Sequence, residues 1–257
     1  MWFQIKAYFQ FLWRSTNQHG VHSPFVYSLV TKCFYDKRNY PSYGSWKKAQ
    51  QSLLQDTSTI QMSDAGAGSR VFSSNQRKVA SIAKNAGTKF KRAKLLNRLV
   101  RYFEVNEGLE LGTSLGLGSL AMRLDNEVAI SSVEACPNTL ARAKQLFQEF
   151  DAKEIQTFNA KFDTFFEKLP TYKKFDLVFL DGHHQGEATL NYVEKILPHL
   201  HDDSLLILDD IHWSEDMQDA WNQLANDSRV SVSIDTFFWG FLFFRKGQVK
   251  EHFVIRV

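Results

Sequence analysis

The sequence is short of cysteine, of charge imbalance and of long apolar runs, and each shortage closes off a class of protein. Only two cysteines, Cys33 and Cys136, occur in 257 residues. That is too few for a disulfide framework and suits a reducing, cytoplasmic compartment. Lys and Arg number 31 against 28 Asp and Glu, a net charge of +3, too mild to demand a nucleic-acid partner. No apolar run approaches the ~20 residues that span a membrane. The aromatic start, MWFQIKAYFQFLWRSTNQHG, carries Lys6 and Arg14 and has no small-residue cleavage site. It is therefore not expected to be a signal peptide. Internal repeats and low-complexity tracts are absent too.

What is there is an ordinary apolar fraction of 44%, enough for a sizeable core. Trp2, Phe3, Ile5, Phe9, Leu12 and Trp13 fall on one wide face of a short helix. That face either packs on the main domain, lies on a membrane surface or makes a dimer contact. Gly20, Pro24, Pro41 and Gly44 punctuate further short helices. Residues 1–75 read as a helical extension or cap, and residues 76–257 as the main domain. Within the extension, Asp64 to Ser74 reads as a polar loop. Residues 76–103 read as helical, broken near Gly87.

From residue 105 the pattern changes. Strands are expected at 108–111, 128–134, 154–160, 175–181 and 204–210, with helices at 116–124, 137–150, 186–197 and 214–226. Strand–helix alternation predicts an α/β, doubly wound, mostly parallel sheet of the Rossmann-like kind. The final runs, VSVSIDTFF, GFLFFRK and KEHFVIRV, lack intervening helices and predict an antiparallel edge. A seven-stranded sheet is expected, one strand fewer than these eight runs.

The strongest local signal is Glu110-Leu-Gly112-Thr113-Ser114-Leu-Gly116-Leu-Gly-Ser. It follows a strand and opens a helix. Gly112 and Gly116 permit a tight turn and close approach of a ligand to the backbone, and the helix start offers unpaired N–H groups. Gly116 to Ala121 also matches a dinucleotide fingerprint. That match begins too far beyond the strand, because the fingerprint needs its first glycine in the turn directly after it. Glu134 closes the second strand, where an acid can accept hydrogen bonds from both ribose hydroxyls. Asn159-Ala160-Lys161 closes the third, Asp181 the fourth as FDLVFLDGHH, and Asp209-Asp210 the fifth as SLLILDDIHW. Ligands of open α/β sheets sit beyond such carboxyl ends.

E-x-G-x-S-x-G together with FDLVFLD resembles motifs I and IV of the class I S-adenosylmethionine-dependent methyltransferases. The resemblance covers residues 105–212. It implies that Glu110, Gly112, Thr113, Ser114, Gly116, Glu134, Ala135, Ala160, Lys161 and Asp181 bind S-adenosyl-L-methionine. Within that superfamily the strand-end acids look like those of the catechol O-methyltransferase-like branch, where strands four and five are neighbours. Asp181, Asp209 and Asp210 match the branch's divalent-metal ligands. Three close carboxylates repel unless protonated or bridged by a cation, and Mg²⁺ or Ca²⁺ would bridge them. The branch has Asp-Asn where this chain has Asp209-Asp210. It also has a lysine base where this chain has His184.

The resemblance thus implies His184, with its neighbour His183, as the base that takes a proton from the acceptor. His212 and Trp213 are candidates for the acceptor pocket. HGVHSPF and DAGAGS, taken with DGHH and LDDIHW, resemble a bacterial methyltransferase family, which by itself implies no substrate. The expected activity is O-methylation of a small hydroxyl-bearing molecule by a cytoplasmic enzyme, with a homodimer as one expected assembly. Two other functions remain open on the sequence. Lys84, Lys89, Lys91, Arg92, Lys94, Arg98 and Arg101 could meet the phosphates of RNA, for an RNA methyltransferase or RNA-binding protein. The fold could also bind its cofactor without catalysis.

Overall fold

The computed structural model describes residues 2–63 and 75–257. The Asp64 to Ser74 loop, DAGAGS included, lies outside them. The order along the chain is α1 (Trp2–Arg14), α2 (Pro24–Leu29), α3 (Pro41–Gln55), β1 (Thr59–Gln61), β2 (Gln76–Lys78), α4 (Val79–Asn85), α5 (Phe90–Tyr102), β3 (Glu107–Leu111) and α6 (Leu117–Arg123). It continues through β4 (Ala129–Glu134), α7 (Pro137–Glu149), β5 (Ile155–Asn159), α8 (Phe162–Lys168), β6 (Leu177–Leu180), α9 (Gly186–Ile196) and β7 (Leu205–Asp209). The end is α10 (Glu215–Asn226), β8 (Val232–Asp235), β9 (Trp239–Phe243) and β10 (Glu251–Val254). Two compact units emerge. A central unit spans residues 37–169, and a two-segment unit joins residues 1–36 to 170–257. The amino-terminal 75 residues are thus shared between both.

In the central unit β3, β4 and β5 pair in parallel in that order. Local chemistry sets the helix starts: Pro137 opens α7 and Pro41 opens α3, where a missing N–H costs nothing. The expected break near Gly87 separates α4 from α5. α5 is buried along Ala93, Leu95, Leu96, Leu99 and Val100. Its basic residues lean on the unit's own aromatics. Lys94 lies 5.0 Å from the Phe90 ring centre, and Arg101 lies 4.1 Å from that of Tyr40. The ribbon of β1 and β2 is antiparallel. Its two three-residue strands are too short for the sequence to betray, and β2 replaces the first turn of the expected helix.

In the two-segment unit β6 and β7 are parallel, β9 runs antiparallel to both β7 and β8, and β10 is parallel to β8. Every residue of β6 and β7 is buried, as suits parallel strands covered on both faces. Ser214 caps α10 by accepting the Met217 N–H at 3.2 Å, and Glu215 and Asp216 in its first turn favour the positive end of the helix.

Two expectations change. The described strands number eight besides the ribbon, against seven expected, and the edge element β10 is parallel to its neighbour although β9 is antiparallel. A strand end exposes unpaired backbone groups, and here the amino-terminal segment covers them. Thr16 N–H donates to Val254 O at 2.9 Å, Arg256 N–H donates to Thr16 O at 3.1 Å, and Tyr35 Oη donates to Arg256 O at 2.7 Å. The NQHGVHSPF stretch is a capped turn followed by α2. Asn17 caps the turn and Pro24 begins the helix. The inner face of α1, Ala7 and Phe11, packs with Phe237, and Phe3, Leu12 and Val254 close round them.

Candidate functional site

In the central unit the glycine turn is built by backbone geometry. Gly112 has φ +110° and Gly116 φ +86°, values that side chains resist. A Cβ on Gly116 would also stand 2.6 Å from the Phe147 ring. Between them Ser114 takes φ +48°. Gly112 N–H and Thr113 N–H both donate to Val133 O, at 2.9 and 3.2 Å, and Gly116 N–H donates to Thr113 O at 2.8 Å. The turn is thereby sewn to the end of β4.

Glu134 completes it. One carboxylate oxygen accepts the Ser114 N–H and the other the Cys136 N–H, each at 2.8 Å. Each oxygen retains a second lone pair, so the acid can still accept two hydroxyl donors. Burial pushes the Glu134 carboxyl up, and the Cys136 and Ser114 amides oppose it. The next turn is tied on as well. Ala160 N–H donates to Glu134 O at 3.1 Å, and Asn159 Nδ2 donates to Glu134 O at 2.9 Å and Ala135 O at 3.1 Å. Gly112, Thr113, Ser114, Gly116, Glu134, Ala135, Ala160 and the exposed Lys161 thus gather at the carboxyl ends of β3, β4 and β5.

Glu110 faces inward beneath the turn. Its carboxylate accepts from the Ser119 hydroxyl and, at 2.6 Å, from the Ser132 hydroxyl, and only 1% of the residue is exposed. Burial raises its pKa to about 7, the two serines pull it down, and the nearby Glu134 charge adds to the rise. The Thr113 hydroxyl bonds Ser132 Oγ at 2.6 Å, so it too is spent inside. Ser119, Ser132 and Cys136 were not among the residues expected at the site, and Asn159 was named only as part of the turn that closes the third strand. Ser132 is the register partner of Glu110, a pairing that strand positions alone do not give.

In the two-segment unit Asp181, His184 and Asp209 each place one ligand atom within 4.8 Å of the others. Asp181 Oδ1 lies 3.8 Å from His184 Nε2. Asp209 is buried, and its Oδ1 accepts the Trp239 indole N–H at 2.6 Å. Asp209 and Trp239 are register partners across β7 and β9, so Trp239 holds the acid from the next strand. Three residues at these loops have positive φ: His183 +68°, His184 +26° and Asp210 +51°. Such backbone is costly outside glycine and clusters at functional sites. Asp210 does not belong to the close group; His184 stands there with the two acids. His183 turns instead to Tyr192, its Nδ1 3.4 Å from the Tyr192 hydroxyl. Trp213 tilts against His184, with ring centres 6.2 Å apart. His212 is held by Asp235 at 2.9 Å and Gln218 at 3.0 Å and stacks on Phe237.

Residues 109–211 match the sequence model of a family described as a methyltransferase domain. No curated protein matches the chain in sequence. Solved structures share its fold. One is a methyltransferase from Podospora anserina, bound to S-adenosylhomocysteine, with 13% identity, TM-score 0.59, and 88% of this chain and 97% of that one covered. Another is an O-methyltransferase of tomaymycin synthesis from Streptomyces achromogenes, in complex with S-adenosylmethionine. Its identity is 14% and TM-score 0.55, with 86% and 95% covered. A Bacillus cereus O-methyltransferase, bound to S-adenosylhomocysteine, gives 15% identity and TM-score 0.51, with 85% and 96% covered. The fold is the α/β Rossmann-like fold of these enzymes. The sequence match thus makes residues 109–211 similar to a methyltransferase domain, and the solved structures add the likeness of fold.

Proposed function

We propose that the protein moves a methyl group from S-adenosylmethionine to a hydroxyl of a small molecule. The observation that carries this finer reading is the close group of Asp181, His184 and Asp209 at the carboxyl ends of β6 and β7. The donor would supply an electrophilic methyl on a sulfonium. The central unit's residues fit it: Glu134 has acceptor capacity for the two ribose hydroxyls, and the positive-φ turn of Gly112 and Gly116 is tied beside it through Ser114 N–H. His184 Nε2 takes the proton from the acceptor hydroxyl, and the bound donor would give its methyl carbon to that oxygen with the carbon–sulfur electron pair left on sulfur. Asp181, beside Nε2, stabilises the imidazolium so formed. Alignment supplies much of the remaining rate, because the methyl is already activated.

A second reading is favoured by the same group. Two carboxylates and an imidazole are also a ligand set for a divalent ion. With His184 in place of Asp210, the set favours a transition ion over the oxygen-seeking Mg²⁺ or Ca²⁺ expected from three acids. One nitrogen cannot both ligate an ion and take the proton, so the readings separate. His184→Ala should lower kcat by about 10²–10⁴-fold, the usual worth of a positioned base, with S-adenosylhomocysteine affinity unchanged by calorimetry. If His184 is the base, a chelator leaves the wild-type rate intact. Loss of rate in chelator, restored by added metal, selects the ion. An unchanged kcat in His184→Ala removes both roles.

A further inference from the structure

α1 has two apolar faces, and the fold uses one. Ala7 and Phe11 are buried against Phe237. The other face carries Trp2, Phe9 and Trp13, exposed by 86%, 67% and 89%, with Ile5 beside them at 45%. At 100° per residue, positions 2, 9 and 13 fall on one narrow stripe along the helix. Among the described residues ten large hydrophobic side chains are exposed, and five of them are on this single helix. Scattered exposed apolar residues need no explanation, whereas a continuous stripe does.

Charge says what covers the stripe. α1 contains Lys6 and Arg14 and no acid, and both cations are exposed. Arg256 adds a third cation at the carboxyl end, its guanidinium reaching Ser15 O at 3.5 Å. Pairing this face with a second copy would bring like charges from both sides into one interface. An anionic lipid surface meets the same charges favourably, and long basic side chains reach its headgroups while aromatic rings enter the boundary below. The helix is already folded and anchored by its inner face, so docking costs little ordering.

We propose that the outer face of α1 docks the protein on anionic lipid membranes, with the helix axis lying in the plane of the surface. This inference is independent of methyl transfer, and its test needs neither donor nor acceptor. The full chain is floated with vesicles of phosphatidylcholine alone and of phosphatidylcholine mixed with phosphatidylglycerol, at low and high salt. Binding is expected to the mixed vesicles and to weaken with salt. The double variant Phe9→Ser/Trp13→Ser should bind roughly tenfold or more weakly. So should Lys6→Glu/Arg14→Glu, and neither should shift the melting temperature, because these side chains are outside the core. Absence of binding to mixed vesicles overturns the proposal, as does binding that both variants leave intact. A vesicle-free dimer in ultracentrifugation, dissociated by the Phe9/Trp13 variant in a chain that ignores vesicles, overturns it in favour of a second copy.

Discussion

The glycine turn of the central unit and the acid–histidine group of the two-segment unit both stand at strand carboxyl ends, yet they are made differently. The first is made of backbone. Its bonds from the Gly112 and Thr113 N–H groups to Val133 O and from Gly116 N–H to Thr113 O exist whatever the side chains, glycine relieves the strain at residues 112 and 116, and a single side chain, Glu134, is added to it. The second is made of side chains carried by two separate loops. Its strained positions are His183, His184 and Asp210, which have no glycine to relieve them. A site made of backbone tolerates changes that keep its φ angles. A site made of side chains on strained loops depends on which residue turns inward.

The sharpest way to break this contrast is Gly112→Val. At φ +110° a β-branched residue cannot hold the turn. S-adenosylhomocysteine affinity should fall more than about 100-fold, the worth of roughly 3 kcal/mol, as read by calorimetry. Near-normal affinity would show that the turn does not hold the ligand. The acid group is tested by comparing Asp209→Asn with Asp210→Asn. Asp209 belongs to the close group and Asp210 does not, so turnover should drop about 10²-fold in the first, a loss of about 2.7 kcal/mol. It should drop less than about tenfold in the second. Equal losses would return Asp210 to the site.

The smallest effect concerns Glu110. Its folded pKa of about 7 exceeds the ordinary 4.5, so between those values the folded state holds more protons than the unfolded. Stability therefore falls as pH rises through this window and levels off above it, by up to about 3 kcal/mol. Glu110→Gln removes the titrating group. Its denaturation midpoints should change less between pH 5 and pH 8 than those of the wild type. An unchanged slope would assign the pH dependence to other groups.

The fold and the cofactor turn were legible because their causes are local. Apolar runs, their alternation with helical periodicity and the glycine spacing lie in consecutive residues, and each predicts its own element. α8 escaped because FDTFFEK is only about two aromatic turns of helix, too brief to display a period. β10 was read as a strand, but the direction of its pairing lies in no short window.

The sequence by itself determined the strand–helix order, the turn at Gly112 to Gly116 and the acids that close the strands, since each follows from neighbours along the chain. Only the tertiary structure decided where those side chains went. Register brought Ser132 under Glu110 and Trp239 to Asp209, and positive-φ loops put His184 rather than Asp210 beside the two acids. The packing of α1 on Phe237 chose which of its apolar faces became core and which stayed exposed. These are contacts between residues far apart in sequence, where partner and direction depend on the whole fold.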